Sequence, residues 1–141
     1  VAARSKARQR ALQILFEADQ RGCSVAEVLA DWIRHSHSDD RQPRVSEYTM
    51  QLAEGYAEHA ERIDELLATY TVGWPLDRMP VVDRNILRLS SYELIWEDET
   101  PDAVVLDEAV QLAKEFSTDD SPAFVNGLLG RLKDLKPTLK R

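Results

Sequence analysis

Four cations at every second position open the chain: Arg4, Lys6, Arg8 and Arg10, with no acid among residues 1–10. On a helix, Arg4 and Arg8, and likewise Lys6 and Arg10, stand four residues apart as like charges. All four lie near the positive end of the helix dipole, where each is unfavourable by a few tenths of a kcal/mol. A placement that costs stability points to a use, and the use open to a row of held cations is contact with phosphates. The competing reading is a frayed basic end that only keeps the chain in solution. Phe124 is a second candidate. It falls one position off the stripe of Val125, Leu128 and Leu132, so it either joins the core or offers a face on which a base stacks.

Bond-making chemistry finds no foothold. There is no Gly-rich phosphate loop, no Cys/His cluster and no His-Glu-x-x-His element, so neither a cofactor nor a metal is expected. His35, His37 and His59 are scattered, and no serine sits in a strand-turn-helix elbow that would make it a nucleophile. His35 and His37 with Asp39 and Asp40 read as a solvated loop rather than a metal site. Glu93 shares a stripe with Val82, Ile86, Leu89 and Trp96, so it should be at least half buried and hold a hydrogen-bond donor, as a structural carboxylate rather than a catalytic one.

Charge placement narrows the partner. The chain of 141 residues carries a net −7, yet each end is strongly basic: residues 1–10 and 131–141 each total +4, which leaves −15 for the middle. An acidic body repels polyanions, so nucleic-acid contact belongs at the ends. An apolar fraction of 43% is enough for one core without a staple. Apolar runs of a few residues exclude a membrane span, and the N-terminus lacks the apolar region of a secretory signal. Cys23 is the only cysteine and excludes an internal disulfide. A cytoplasmic protein is expected.

The elements that must position these residues are helices only, since periods of three and four recur and no alternating segment flanks a tight turn. A first helix spans about Ser5 to Arg21, with Ala7, Ala11, Ile14, Leu15 and Ala18 inward and Gly22 as a left-handed cap. Ser24-Val25-Ala26-Glu27 forms a capping box for a second, and His35 to Arg44 reads as a loop. Ser46 caps a stretch that continues to Tyr70 and the breaker Gly73-Trp74-Pro75. We read it as two helices with a bend near Glu58 to Glu61. A fifth helix runs from Pro80 to about Glu97, apolar around most of its circumference. A sixth follows Pro101 with Val105, Leu106, Ala109, Leu112, Ala113 and Phe116 inward. Ser121 and Pro122 supply N-cap and first residue of a seventh. Gly127 and Gly130 within it cost about 1 kcal/mol each relative to Ala, which implies a close approach there.

Three stretches read together resemble the NusB family of bacterial transcription antitermination factors. They are Asp77-Arg78-Met79-Pro80 leading to Asp83-Arg84-Asn85-Ile86-Leu87-Arg88, then Tyr92-Glu93-Leu94, then Asp107-Glu108-Ala109-Val110-Gln111-Leu112-Ala113-Lys114 followed by Phe124-Val125-Asn126-Gly127. The resemblance implies an all-α fold of about seven helices in two packed small bundles. It also implies one RNA-binding domain over residues 1–141, with helices one to three as an N-terminal lobe and four to seven as a C-terminal lobe. It implies a non-catalytic adaptor that binds the boxA element of nascent RNA together with NusE, a small-subunit ribosomal protein, and helps RNA polymerase read through terminators, notably in ribosomal RNA operons. By position, Arg4, Lys6, Arg8 and Arg10 are expected at RNA, with Asp119, Asp120 and Phe124 beside them. Asp83 and Phe16 are expected at the NusE surface, Asp83 because an acid in a first helical turn suits the dipole and is free to face a partner.

Two other classes stand against this. One is an accessory domain of the kind fused to ribosomal RNA cytosine methyltransferases, which the lack of a Gly-rich methyl-donor region disfavours. The other is a protein-interaction scaffold whose basic ends only solubilise it, which salt-dependent RNA binding would separate from an adaptor. Oligomeric state is not legible in the sequence, and a homodimer stays open.

Overall fold

The computed structural model describes residues 2–38, 44–71 and 74–139, and the described residues form six α-helices and one 3-10 turn with no strand. The helices are α1 (Ala2–Arg21), α2 (Val25–Ser38), α3 (Glu47–Tyr70), α4 (Val81–Trp96), α5 (Asp102–Phe116) and α6 (Ser121–Leu139), with the 3-10 turn at Leu76–Arg78. None of them is long and apolar enough to cross a membrane. The expected seven become six because residues 47–70 form one helix. The bend expected near Glu58 to Glu61 is present within it: His59 leaves helical geometry at φ −111° and ψ 15°. The chain divides there into two compact units, residues 1–58 and 59–141.

In the first unit, α1 packs on α2. Ala7, Ala11, Leu12, Ile14, Leu15 and Ala18 are buried along α1, and Val28, Leu29, Leu52 and Ala53 along α2 and α3. Alanines at helical spacing let backbones approach, and Thr49 uses that closeness to donate its hydroxyl to the Ala7 carbonyl at 3.1 Å. Gly22 ends α1 at φ +66°, with Cys23 N–H on the Ala18 carbonyl and Gly22 N–H on the Asp19 carbonyl, a Schellman closure. Ser24 Oγ accepts the Glu27 N–H and Ser46 Oγ the Thr49 N–H, each at 3.1 Å, so both serines cap their helices, Ser24 as the serine half of the expected box. The loop expected over residues 35–44 begins later, because α2 continues to Ser38 and puts His35 and His37 on the helix. Asp39 and Asp40 lie outside the described residues, as do Lys140 and Arg141.

In the second unit, α4, α5 and α6 pack on one another. Helix α4 is central: eleven of its sixteen residues are buried, Ile86, Leu87, Leu89, Leu94 and Ile95 among them. Arg88 crosses to the C-terminal half of α3 and grips Asp64 with two parallel bonds of 2.9 and 3.0 Å, a fork that fixes register as well as charge. Glu93 is 2% exposed, as its place on the apolar stripe required, and it has interaction partners. Phe116 departs from expectation. It ends α5 at 41% exposure rather than inward. A Cβ at Gly127 or Gly130 would meet nothing within 4 Å, so these glycines serve no close approach within the chain.

Candidate nucleic-acid interface

The α1 cations do not form one uniform row. Arg4 and Lys6 are exposed and Arg10 is half buried, but Arg8 retains only 4% of its surface. Its spacing explains this, because Arg8 stands three, four and seven residues before Ala11, Leu12 and Leu15 and so shares their inward face. That signal was present in the sequence. Arg8, expected to be offered to RNA with the other three, is instead a packed cation beside Tyr48, its guanidinium 5.6 Å from the ring centroid.

Aromatic rings position the others. The Arg4 guanidinium lies 4.4 Å from the Tyr48 centroid and that of Arg10 lies 5.2 Å from the Trp32 centroid. Each contact contributes about 0.5–1 kcal/mol at a partly solvated site and restrains a long side chain that would otherwise lose entropy on binding. Arg10 also donates to the Arg44 carbonyl at 3.4 Å. Lys6 makes no hydrogen bond or ion pair among the described residues. Arg4 stands on the α3 side of α1, and Lys6 and Arg10 on the α2 side; all three retain surface that a phosphate can reach, and two are held against rings.

The other candidates stand in the second unit. Asp119 and Asp120 are exposed in the turn between α5 and α6. Carboxylates there suit the α6 dipole but repel phosphate, so any contact they make with RNA is with base donors or 2′-hydroxyls. Phe124 is half buried and meets Trp74 edge-on, with centroids 5.1 Å apart at 64°. Two turns along α6, exposed Arg131 stands 5.5 Å over the Tyr70 ring. In the sequence Trp74 stands out only as part of a breaker and Tyr70 only as the end of a helical stretch. The seven-residue spacing of Phe124 and Arg131, one face of a helix, was the available signal.

Asp83 departs from the expected free carboxylate. It is 0% exposed, not free to face a partner. Its carboxylate accepts the Ser121 hydroxyl at 2.9 Å and that of Ser117, binding the α5–α6 turn to the start of α4. Ser121 is thereby diverted from the capping role assigned to it: its oxygen accepts the Thr118 N–H, and helical bonding begins at the Asp120 carbonyl with the Phe124 N–H. Asp83 thus holds the turn that carries Asp119 and Asp120. Phe16, at 38% exposure, is one of three large apolar side chains more than a third exposed among the described residues. No group of three or more metal-ligating side chains occurs among those residues.

The NusB family model matches residues 5–134. The chain is 78% identical to the transcription antitermination protein NusB of Streptomyces avermitilis, over all of this chain and 98% of that protein. Among solved structures it is similar to NusB of T. maritima, at 33% identity and a TM-score of 0.80, covering 93% of this chain and 90% of the other. It is similar also to a chain in a crystal structure of antitermination factors NusB and NusE in complex with double-stranded RNA, at 27% identity and a TM-score of 0.80 over 95% and 98% of the two chains.

Proposed function

This chain belongs to the NusB family, and from that premise we propose that it is a non-catalytic RNA-binding adaptor. It recognises boxA-type RNA together with the ribosomal protein NusE and supports transcription antitermination by the RNA polymerase elongation complex, notably in ribosomal RNA operons. The observation that carries this is the set of accessible cations Arg4, Lys6 and Arg10 at the start of α1 on a chain whose middle is strongly acidic, with Arg4 and Arg10 restrained by Tyr48 and Trp32. Phosphates supply affinity there, and stacking on Phe124 beside Trp74 supplies a contribution independent of salt. The two units act as one RNA-binding domain. Phe16 faces NusE, while Asp83 acts at a distance by holding the α5–α6 turn.

The test is transcription with purified polymerase on a template bearing boxA ahead of a terminator. Read-through should rise when this chain and NusE are added together and fall back when Arg4 and Lys6 are both replaced by Ala. Equal read-through with the parent and the double variant would refute the assignment.

A further inference from the structure

Beside Lys6 and Arg10 lies a groove of about 720 Å³ between α1 and α2, wholly within the first unit. Its walls at the cationic end are Lys6, Gln9, Arg10 and Gln13 from α1, with Trp32 and His35 opposite. Gln9 and Gln13 make no hydrogen bond among the described residues, although each carries a donor and an acceptor on one planar amide. At the far end the charges are already spent on each other. Arg21 donates to Glu17 at 2.8 Å and to Asp31 at 3.3 Å, and Trp32 Nε1 donates to Glu17 at 3.1 Å. The hydrogen bond to Glu17, then that to Asp31, holds the Arg21 guanidinium above its usual pKa. The groove is therefore positive at Lys6 and Arg10, amide-lined at Gln9 and Gln13, and closed by a self-satisfied ion cluster.

We infer that this groove reads an unpaired base of the bound RNA, adenine foremost, through the amides of Gln9 and Gln13 beside the Arg10–Trp32 pair. Three features converge on that ligand. Adenine offers an amino donor next to a ring-nitrogen acceptor, the complement of a glutamine amide. A guanidinium backed by an indole is a flat, cationic surface of the kind on which unpaired bases stack. The phosphates flanking such a base would fall toward Lys6 and away from the Glu17–Asp31 end, whose carboxylates repel them. The inference deepens the RNA-binding reading above and rests on it. It adds sequence discrimination, which phosphate contacts do not provide.

The test compares a uridine 12-mer with the same 12-mer carrying one central adenine, and with purine lacking the exocyclic amine in its place. The parent should bind the adenine oligomer at least about fivefold more tightly than the other two, the lower end for a two-point amide contact. The preference should vanish when the oligomer is annealed into a duplex. Replacing Gln9 and Gln13 together with Ala, a change favourable to helix propensity, should erase the preference while leaving affinity for plain uridine RNA and its salt dependence unchanged. A preference that is absent, or that survives in the variant, overturns the inference and leaves RNA binding standing. The same holds if the variant keeps its RNA discrimination and loses affinity for NusE, which would assign the groove to a protein. Absence of salt-dependent binding to every oligomer removes the RNA-binding reading itself, and the groove's role with it.

Discussion

Burial divides the α1 cations, and ionic strength reads that division directly. Each phosphate neutralised on single-stranded RNA contributes about −0.7 to the slope of log affinity against log salt. Three available cations, Arg4, Lys6 and Arg10, give a slope near −2.1, whereas four would give about −2.8. Between 50 and 200 mM salt the parent should lose roughly 18-fold in affinity, the fourfold salt change raised to the power 2.1. Replacing Arg4 and Lys6 with Ala should leave one contact, a slope near −0.7 and a loss of only about 2.6-fold over the same range. Replacing Arg8 with Ala should leave the slope unchanged and lower the thermal midpoint, because that side chain, 4% exposed, is held inside the first unit rather than offered to RNA. Fluorescence anisotropy of an end-labelled oligoribonucleotide across a salt series measures all three. A slope that flattens by about 0.7 for Arg8→Ala, or that does not change for the double variant, refutes the division.

Further consequences follow from buried polar groups and from the rings. Asp83→Ala leaves the Ser117 and Ser121 hydroxyls without their shared acceptor and should destabilise the protein by about 1–3 kcal/mol in urea titration. Asp83→Lys should be worse, since it places a cation where the structure admits no solvent. Glu93→Gln should shift the unfolding midpoint while RNA affinity in anisotropy stays at the parent value, because Glu93 is 2% exposed and lies on the packed stripe of α4. Phe124→Ala should weaken RNA binding by about 1–3 kcal/mol with the salt slope intact, since stacking releases no counterions. An altered slope in that variant would show that the ring acts only through the fold.

Much of this architecture was legible in the residues. Gly22 ends α1 in the left-handed region because no side chain opposes it, and Ser24 and Ser46 cap as their positions demand. Glu93 was recognisable as buried because its neighbours at helical spacing are apolar. Charge misleads where spacing or a distant partner decides burial. Arg8 was grouped with the cations around it although its place three and four residues before Ala11 and Leu12 puts it inward. The resemblance puts Asp83 at a partner surface and its place in a first helical turn suits the dipole, yet Ser117 and Ser121, more than thirty residues away, supply donors that hold it inside. Contacts that depend on how distant segments meet, such as Trp74 with Phe124 or Arg88 with Asp64, carry no local signature beyond residue type. The glycines of α6 were read as a sign of close packing, and the space beside them is open.

The adaptor role stands or falls on the linkage between RNA and NusE. Affinity for a boxA oligoribonucleotide, measured with and without saturating NusE at one fixed salt concentration, tests it most directly. The expected result is salt-dependent binding by this chain alone, tightened at least about tenfold by NusE, a coupling of roughly 1.4 kcal/mol. A scrambled RNA should gain less. Binding of boxA and scrambled RNA with equal affinity, unchanged by NusE, would contradict an adaptor that joins the two.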